Sequence, residues 1–148
     1  MNLRAQVVER LGNYELMGVA VKNLQEQIRW LKLHQEGIHA VRTDRVAVKS
    51  QPGRSEERLL ENIEQRQKLE IALKNTQRWL QITCRALKAL NKDEQLILQK
   101  LYIHKSPGAL NELCQMLEME KSSIYRKRDK ALDKLALALY GVQPEQTG

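Results

Sequence analysis

Apolar residues recur every three or four positions over most of the first forty residues, and this spacing restricts what the N-terminal part can form. The stripe comprises Leu3, Val7, Leu11, Tyr14, Met17, Val21, Leu24, Ile28, Leu31 and Ile38. It holds over about five heptads and predicts a long amphipathic helix. Arg10 and Gln35 interrupt it, and Gly12 and Gly18 each lower helix propensity by roughly 1 kcal/mol relative to Ala, so we expect a bend near the glycines.

Residues 39–54 lose this spacing and contain Pro52 and Gly53, which predicts a connection. The short run Val-Ala-Val at 46–48 can pair briefly as a strand but cannot make a sheet alone. Several bases outnumber Asp44 in this segment, and they can contact DNA or simply be solvated. These bases are Arg42, Arg45, Lys49 and Arg54. We favour solvation.

A second long helix is expected after Ser55, whose hydroxyl can cap it, with Glu56 and Glu57 opposing the positive end of its dipole. Its apolar stripe comprises Leu59, Ile63, Leu69, Leu73, Thr76, Leu80, Cys84, Leu87 and Leu90. Two such helices most simply pack as an antiparallel hairpin over residues 1–90. Because two helices bury little surface, we expect this hairpin to form a homodimer or to bind another protein.

Four further side chains bear on packing in this part and beyond it. Trp30 and Trp79 lie off the main stripes, and we favour core packing for both over a contact with the C-terminal module or with a second protomer. Cys84 and Cys114 have no neighbouring Cys or His at ligand spacing, so we expect two buried thiols and neither a disulfide nor a metal site.

Composition and motifs exclude several classes of protein. A chain with 42% hydrophobic and 29% charged residues is expected to fold, and its longest apolar run, 135–140, is far short of the roughly 20 residues that span a bilayer. No secretory signal is visible, so we expect a cytosolic protein. His34, His39 and His104 are scattered, and no phosphate-binding glycine loop or nucleophile motif is present. We therefore expect no enzyme and no cofactor.

The last third of the chain predicts shorter helices. Asn91 and Glu94 have the spacing of a capping box at the start of one helix. Ser106 and Pro107 are expected to supply a cap and a first-turn proline for a second helix at 109–117.

A third helix is expected from Lys121 to Tyr140, with Gly141 ending it. The chain has a formal net charge of +7, and the excess is concentrated in residues 121–134. The bases there are Lys121, Arg126, Lys127, Arg128, Lys130 and Lys134. Such a density suits contacts with nucleic-acid phosphates, but charge alone favours a solvated helix face equally.

The order of a supporting helix, a turn and a basic helix is typical of a helix-turn-helix. Its buried face is predicted to comprise Ile124, Ala131, Leu132 and Leu135, and its outward face Ser122, Ser123, Tyr125, Arg126 and Asp129. Arg126 can read guanine, Tyr125 can contact sugar or a thymine methyl, and the serines can bond a base edge or phosphate. At least one serine is expected simply to cap the helix. Phosphate contacts are expected from Lys121, Lys127, Arg128, Lys130 and Lys134.

The stretch ALNELCQMLEMEKSSIYRKRDKALDKL resembles the region 4 helix-turn-helix of sigma-70-type factors, without gaps. LQKLYI and SSIYRKRDKALDKLALALYG are similar to the ArpU and RinA group of phage-type transcriptional regulators, so the resemblance covers roughly residues 87–141. Cys114 and Glu118 depart from it, since small residues and glycine are usual there, and Lys127 falls at an apolar position. Lys121, Ser122, Tyr125 and Arg126 align with sigma positions that face promoter DNA.

The resemblance implies a prophage-encoded, nucleoid-associated regulator of late-gene or lysis-linked promoters in a bacterial host, with double-stranded DNA and RNA polymerase as partners. We therefore expect an all-α protein with a helical hairpin at 1–90, a DNA-binding helix-turn-helix at 91–141 and a tail at 142–148. The alternative is a non-enzymatic interaction protein whose hairpin binds a phage or host protein.

Overall fold

The computed structural model describes residues 2–44 and 54–144, except for the side chains of 36–44, and all of its regular elements are helices. The all-α prediction is confirmed for these residues. The α-helices are α1 (Leu3–Gly12), α2 (Tyr14–Asp44), α3 (Arg54–Lys88), α4 (Lys92–Leu98), α5 (Ala109–Leu117) and α6 (Lys121–Tyr140). A π-helical turn, Gln99–Ile103, continues α4, with the His104 N–H donating to the Gln99 carbonyl at 2.7 Å.

The two long helices differ from the predicted bounds at their ends. The helix predicted over this stretch is divided at Asn13, next to Gly12, where α1 ends and α2 follows. Residues 39–44, predicted to be part of the connection, instead continue α2. They contain no proline or glycine that would end the helix there. Ser55 is the second residue of α3 and not its cap, since the helix already includes Arg54. The predictions for residues 45–53 lie outside the described residues.

The apolar stripes face inward as predicted, whereas the predicted burial of a tryptophan and of the two cysteines differs from the structure. Every described member of the first stripe is buried or half-buried. The prediction of core packing is wrong for Trp30, which is largely exposed and stacks on His34 at 4.8 Å between ring centroids. Trp79 is half-buried beneath the Arg10 guanidinium. Cys84 and Cys114 are free thiols that are half-buried and not buried as predicted.

The chain divides into two compact units, residues 1–17 with 79–148 and residues 18–78. In the second unit, Ile28 and Leu31 are buried, and the buried Asn62 Nδ2 donates to the Leu31 carbonyl at 3.0 Å. None of the described helices is long and apolar enough to cross a membrane.

The first unit does not follow the predicted boundary between residues 90 and 91. Val7 and Leu11 of α1 are buried in one cluster with Ala131 and Leu135 of α6. Arg4 also donates two hydrogen bonds to the Asp133 carboxylate, at 2.7 and 2.8 Å, and this contact raises the pKa of the guanidinium. The start of the chain therefore belongs, by packing, with the C-terminal helices.

Local sequence explains most of the ends of the short helices. The Asn91 side chain accepts from the Glu94 N–H at 2.8 Å, and the Glu94 carboxylate accepts from the Asn91 N–H at 3.1 Å, so the predicted capping box is confirmed. The predicted cap at Ser106 and Pro107 is wrong, because the chain turns through Gly108, which precedes α5 with φ +78°. Only glycine adopts this left-handed conformation without strain.

Candidate nucleic-acid interface

Two apolar clusters hold α6 along its length. Near its start, Ile124 is buried with Ile97 of α4 and Leu113 of α5. Further along, Ala131 and Leu135 belong to the cluster that α1 completes. All four side chains predicted for the buried face of α6 are buried. The orientation of the opposite face is therefore determined by packing against several other helices.

A strained turn joins α5 to α6. Glu118 follows α5 in the left-handed conformation, at φ +53°, and the Met119 N–H donates to the Cys114 carbonyl at 3.1 Å. Glu120 then precedes α6 in an extended conformation, without a side-chain cap. Ser122 and Ser123 lie inside the first turn, so the prediction that one of them caps the helix is wrong. Their hydroxyls are not used for capping.

α6 runs from Lys121 to Tyr140 and ends at Gly141, as predicted. Four of the predicted site residues form one exposed face on its first two turns, because helical spacing places them side by side. They are Lys121, Ser122, Tyr125 and Arg126. Ser123 is half-buried at the edge of this face, and Lys130 is exposed one turn beyond Arg126. Neither Lys121 nor Arg126 has an ion-pair partner among the described residues.

Arg128 is held in place at the border of the exposed face. Its guanidinium lies 4.7 Å from the centroid of the Tyr125 ring and bonds Asp129 at 3.0 and 3.1 Å. Arg128 also lies beside the Tyr102 hydroxyl, whose pKa is raised by burial and lowered in part by the guanidinium. Cation–π contact and hydrogen bonding thus restrict the Tyr125 and Arg128 side chains before any ligand binds.

Two other predicted bases project from another side of α6, toward the start of α4. The Lys127 ammonium donates to the Asp93 carboxylate at 3.3 Å. The Lys134 ammonium lies 3.1 and 3.0 Å from the two carboxylate oxygens of Glu94, a residue only 4% exposed. Glu94 therefore accepts from the backbone of its own helix and from α6 at once, and this neutralises part of the charge of α6.

The geometry adds two bases that sequence reasoning missed. Lys100 and Lys105 line an open cleft of about 410 Å³ together with Lys121 and the first residues of α5. Lys100 is paired with Glu112 at 2.6 Å, whereas Lys105 is exposed with no ion-pair partner among the described residues. The N-terminal amides of a helix also favour anions. In the sequence, Lys105 lies two residues before Pro107, whereas no local pattern singles out Lys100.

The described residues contain no group of three or more His, Cys, Asp or Glu side chains placed to hold a metal ion. No family model matches the chain, and neither a curated protein nor a solved structure matches it. A functional assignment must therefore rest on the chemistry and placement of these side chains.

Proposed function

We propose that the chain is a sequence-specific DNA-binding transcriptional regulator in which α5 and α6 form a helix-turn-helix. The observation that carries this proposal is the exposed face formed by Lys121, Ser122, Tyr125 and Arg126 on the first turns of a helix whose opposite face is buried. Major-groove recognition by a helix uses this combination, since the groove is about 12 Å wide and admits one helix. The sequence resemblance to sigma region 4 and to the ArpU and RinA group supports the same role, as a phage or prophage late-gene activator.

In this proposal the first turns of α6 read bases. Arg126 donates two hydrogen bonds to a guanine, and Ser122 bonds a neighbouring base edge or phosphate. Tyr125, restrained by Arg128, contacts a sugar or a thymine methyl. Lys121, Lys105 and Lys130 are unpaired among the described residues and contact the phosphates on either side.

The remaining bases predicted to contact phosphates must first break an ion pair within the protein. Lys127, Arg128 and Lys134 already bond Asp93, Asp129 and Glu94, so each must give up a carboxylate to bind a phosphate. An exchange of one anion for another gains less than a new ion pair. We assign them a smaller share of the affinity for DNA.

The proposal is tested with duplexes enriched from a random pool by the full chain. Arg126→Ala is expected to reduce the preference for the enriched duplex over a scrambled one by about 1–3 kcal/mol, because a bidentate arginine contact is lost. Fluorescence anisotropy at two salt concentrations measures both affinities. Arg85→Ala, which removes an exposed base from the last turn of α3, is the matched control and should leave the preference unchanged. Failure to enrich any sequence, or an unchanged preference in Arg126→Ala, contradicts specific recognition by this face.

We further propose that α2 and α3 pack as an antiparallel hairpin within residues 18–78 and that this unit self-associates or binds a protein such as RNA polymerase. The bond between Asn62 and the Leu31 carbonyl supports side-by-side packing of α2 and α3 within residues 18–78. The exposed Trp30 favours a protein contact in this region. If no specific DNA binding is found, this protein contact supports the alternative function, that of a non-enzymatic interaction protein.

A further inference from the structure

A second stripe of side chains runs along α2 on the side opposite the apolar stripe already described. It comprises Val19, Asn23, Glu26, Trp30 and Leu33, which are all exposed. Their successive spacings are four, three, four and three residues. Val19, Trp30 and Leu33 are 54%, 60% and 61% exposed. This is the spacing of a seam between two helices. We call it the outer stripe.

The outer stripe reads similarly in both directions. Positions equidistant from the midpoint between residues 24 and 25 match in kind, with Val19 paired with Trp30 and Asn23 paired with Glu26. In the sequence the spacing also reaches Leu16, the position that matches Leu33. A surface of this kind is complementary to a copy of itself turned by a two-fold axis, since each position then contacts its equivalent on the other copy.

We propose that the outer stripe binds the same stripe of a second copy of this chain, with the two α2 helices antiparallel. Val19 then packs on Trp30 of the other copy, and the Asn23 amide donates to the opposing Glu26 carboxylate. Lys22, adjacent to Asn23, adds a positive charge beside that carboxylate. A parallel arrangement in register places Glu26 against Glu26, which like-charge repulsion disfavours.

The exposed apolar residues of α3 are arranged differently. Leu60 and Ile71 are 59% and 61% exposed, as much as Trp30 and Leu33, but three helical turns separate them. On α2, Trp30 and Leu33 are one turn apart and form a continuous apolar patch. The pair on α3 has the exposed Glu64 and Gln67 between its members and no second exposed apolar residue one turn from Ile71. It therefore provides a matched control with equal exposure and spacing but without a continuous apolar patch.

This inference rests on the proposed self-association of residues 18–78 and is independent of DNA binding. Sedimentation equilibrium of the full chain at micromolar concentrations should show a dimer. Trp30→Gln/Leu33→Gln should weaken the dimer at least about tenfold, because the centre of the contact is lost, while Leu60→Gln/Ile71→Gln should leave it unchanged. Circular dichroism checks that both variants keep the helical content of the parent.

A parent chain that is still monomeric at about 100 μM overturns self-association itself, because most specific dimers form at that concentration. A dimer that Trp30→Gln/Leu33→Gln leaves intact, or that the α3 variant disrupts equally, overturns the outer stripe alone. Neither result bears on the DNA titrations, so failure of this inference and failure of the proposed DNA binding are distinguishable.

Disulfide trapping tests the orientation, and a mixed dimer of the two cysteine variants keeps one of its two Val19–Trp30 contacts unaltered. In a chain carrying Cys84→Ser and Cys114→Ser, Val19→Cys alone should not form a cross-linked dimer. A mixture of the Val19→Cys and Trp30→Cys chains should cross-link, because the antiparallel contact brings positions 19 and 30 together. Efficient cross-linking of Val19→Cys alone overturns the antiparallel arrangement.

Discussion

Two sides of α6 carry similar charge in the sequence and differ in the structure. On the exposed face, Lys121 and Arg126 have no ion-pair partner among the described residues. On the side toward α4, Lys127 and Lys134 bond Asp93 and Glu94. The difference teaches that the number of bases on a helix does not give the number available to a ligand. We therefore treat the first side as the one that binds DNA and the second as the one that holds α6 in place.

Removing Glu94 should have the largest effect on this division. Glu94→Ala deletes the reciprocal capping bond of α4 and leaves the Lys134 ammonium without its carboxylate. We expect a loss of about 2 kcal/mol in the free energy of unfolding, combining a cap with a charge-assisted bond at a buried site. Urea denaturation measures it. Glu112→Ala, which breaks an exposed pair with Lys100, should cost no more than about 0.5 kcal/mol.

Lys134→Ala should act on stability more than on DNA. Its loss leaves the buried Glu94 carboxylate with one bond fewer, so we expect unfolding to become easier by about 1 kcal/mol. The slope of log affinity against log salt should change by less than about one unit, since this ammonium already has a partner. A stability equal to that of the parent, together with a full unit of slope, would move Lys134 to the DNA-binding side.

The turn between α5 and α6 can be improved without altering any base. Glu118 has a left-handed backbone, so Glu118→Gly should relieve about 1 kcal/mol of strain and lose part of that gain to the flexibility of the unfolded chain. We expect a net stabilisation of roughly 0.5 kcal/mol. Thermal unfolding followed by circular dichroism checks this. A destabilised variant would mean that the Glu118 side chain itself supports the turn.

Asp93→Asn should have the smallest effect, and the direction of its effect on affinity for DNA is informative. It releases the Lys127 ammonium while leaving an uncharged side chain of the same size. We expect DNA affinity at low salt to rise about twofold and the salt slope to steepen by less than one unit, for enriched and scrambled duplexes alike. An unchanged affinity would mean that Lys127 cannot reach a phosphate even when free.

Local patterns predicted much of this unit, and long-range contacts account for the rest. The bounds of α6, its buried face and the capping box of Asn91 and Glu94 follow from periodicity and from contacts over three or four residues. The bond between Lys134 and Glu94 joins residues forty positions apart, and no local pattern encodes it. Trp30 was misassigned for a related reason, since an apolar residue off the main stripe suggested core packing although its neighbours leave it exposed.

Lysine labelling with an amine-reactive reagent, read by mass spectrometry with and without an enriched duplex, tests the division of α6 most directly. All the lysines are compared within one unaltered chain, so folding defects do not enter. The account predicts that Lys121 and Lys130 lose reactivity when DNA binds, while Lys127 and Lys134 react at the same rate as before. Protection of Lys127 and Lys134 with Lys121 unchanged would contradict it.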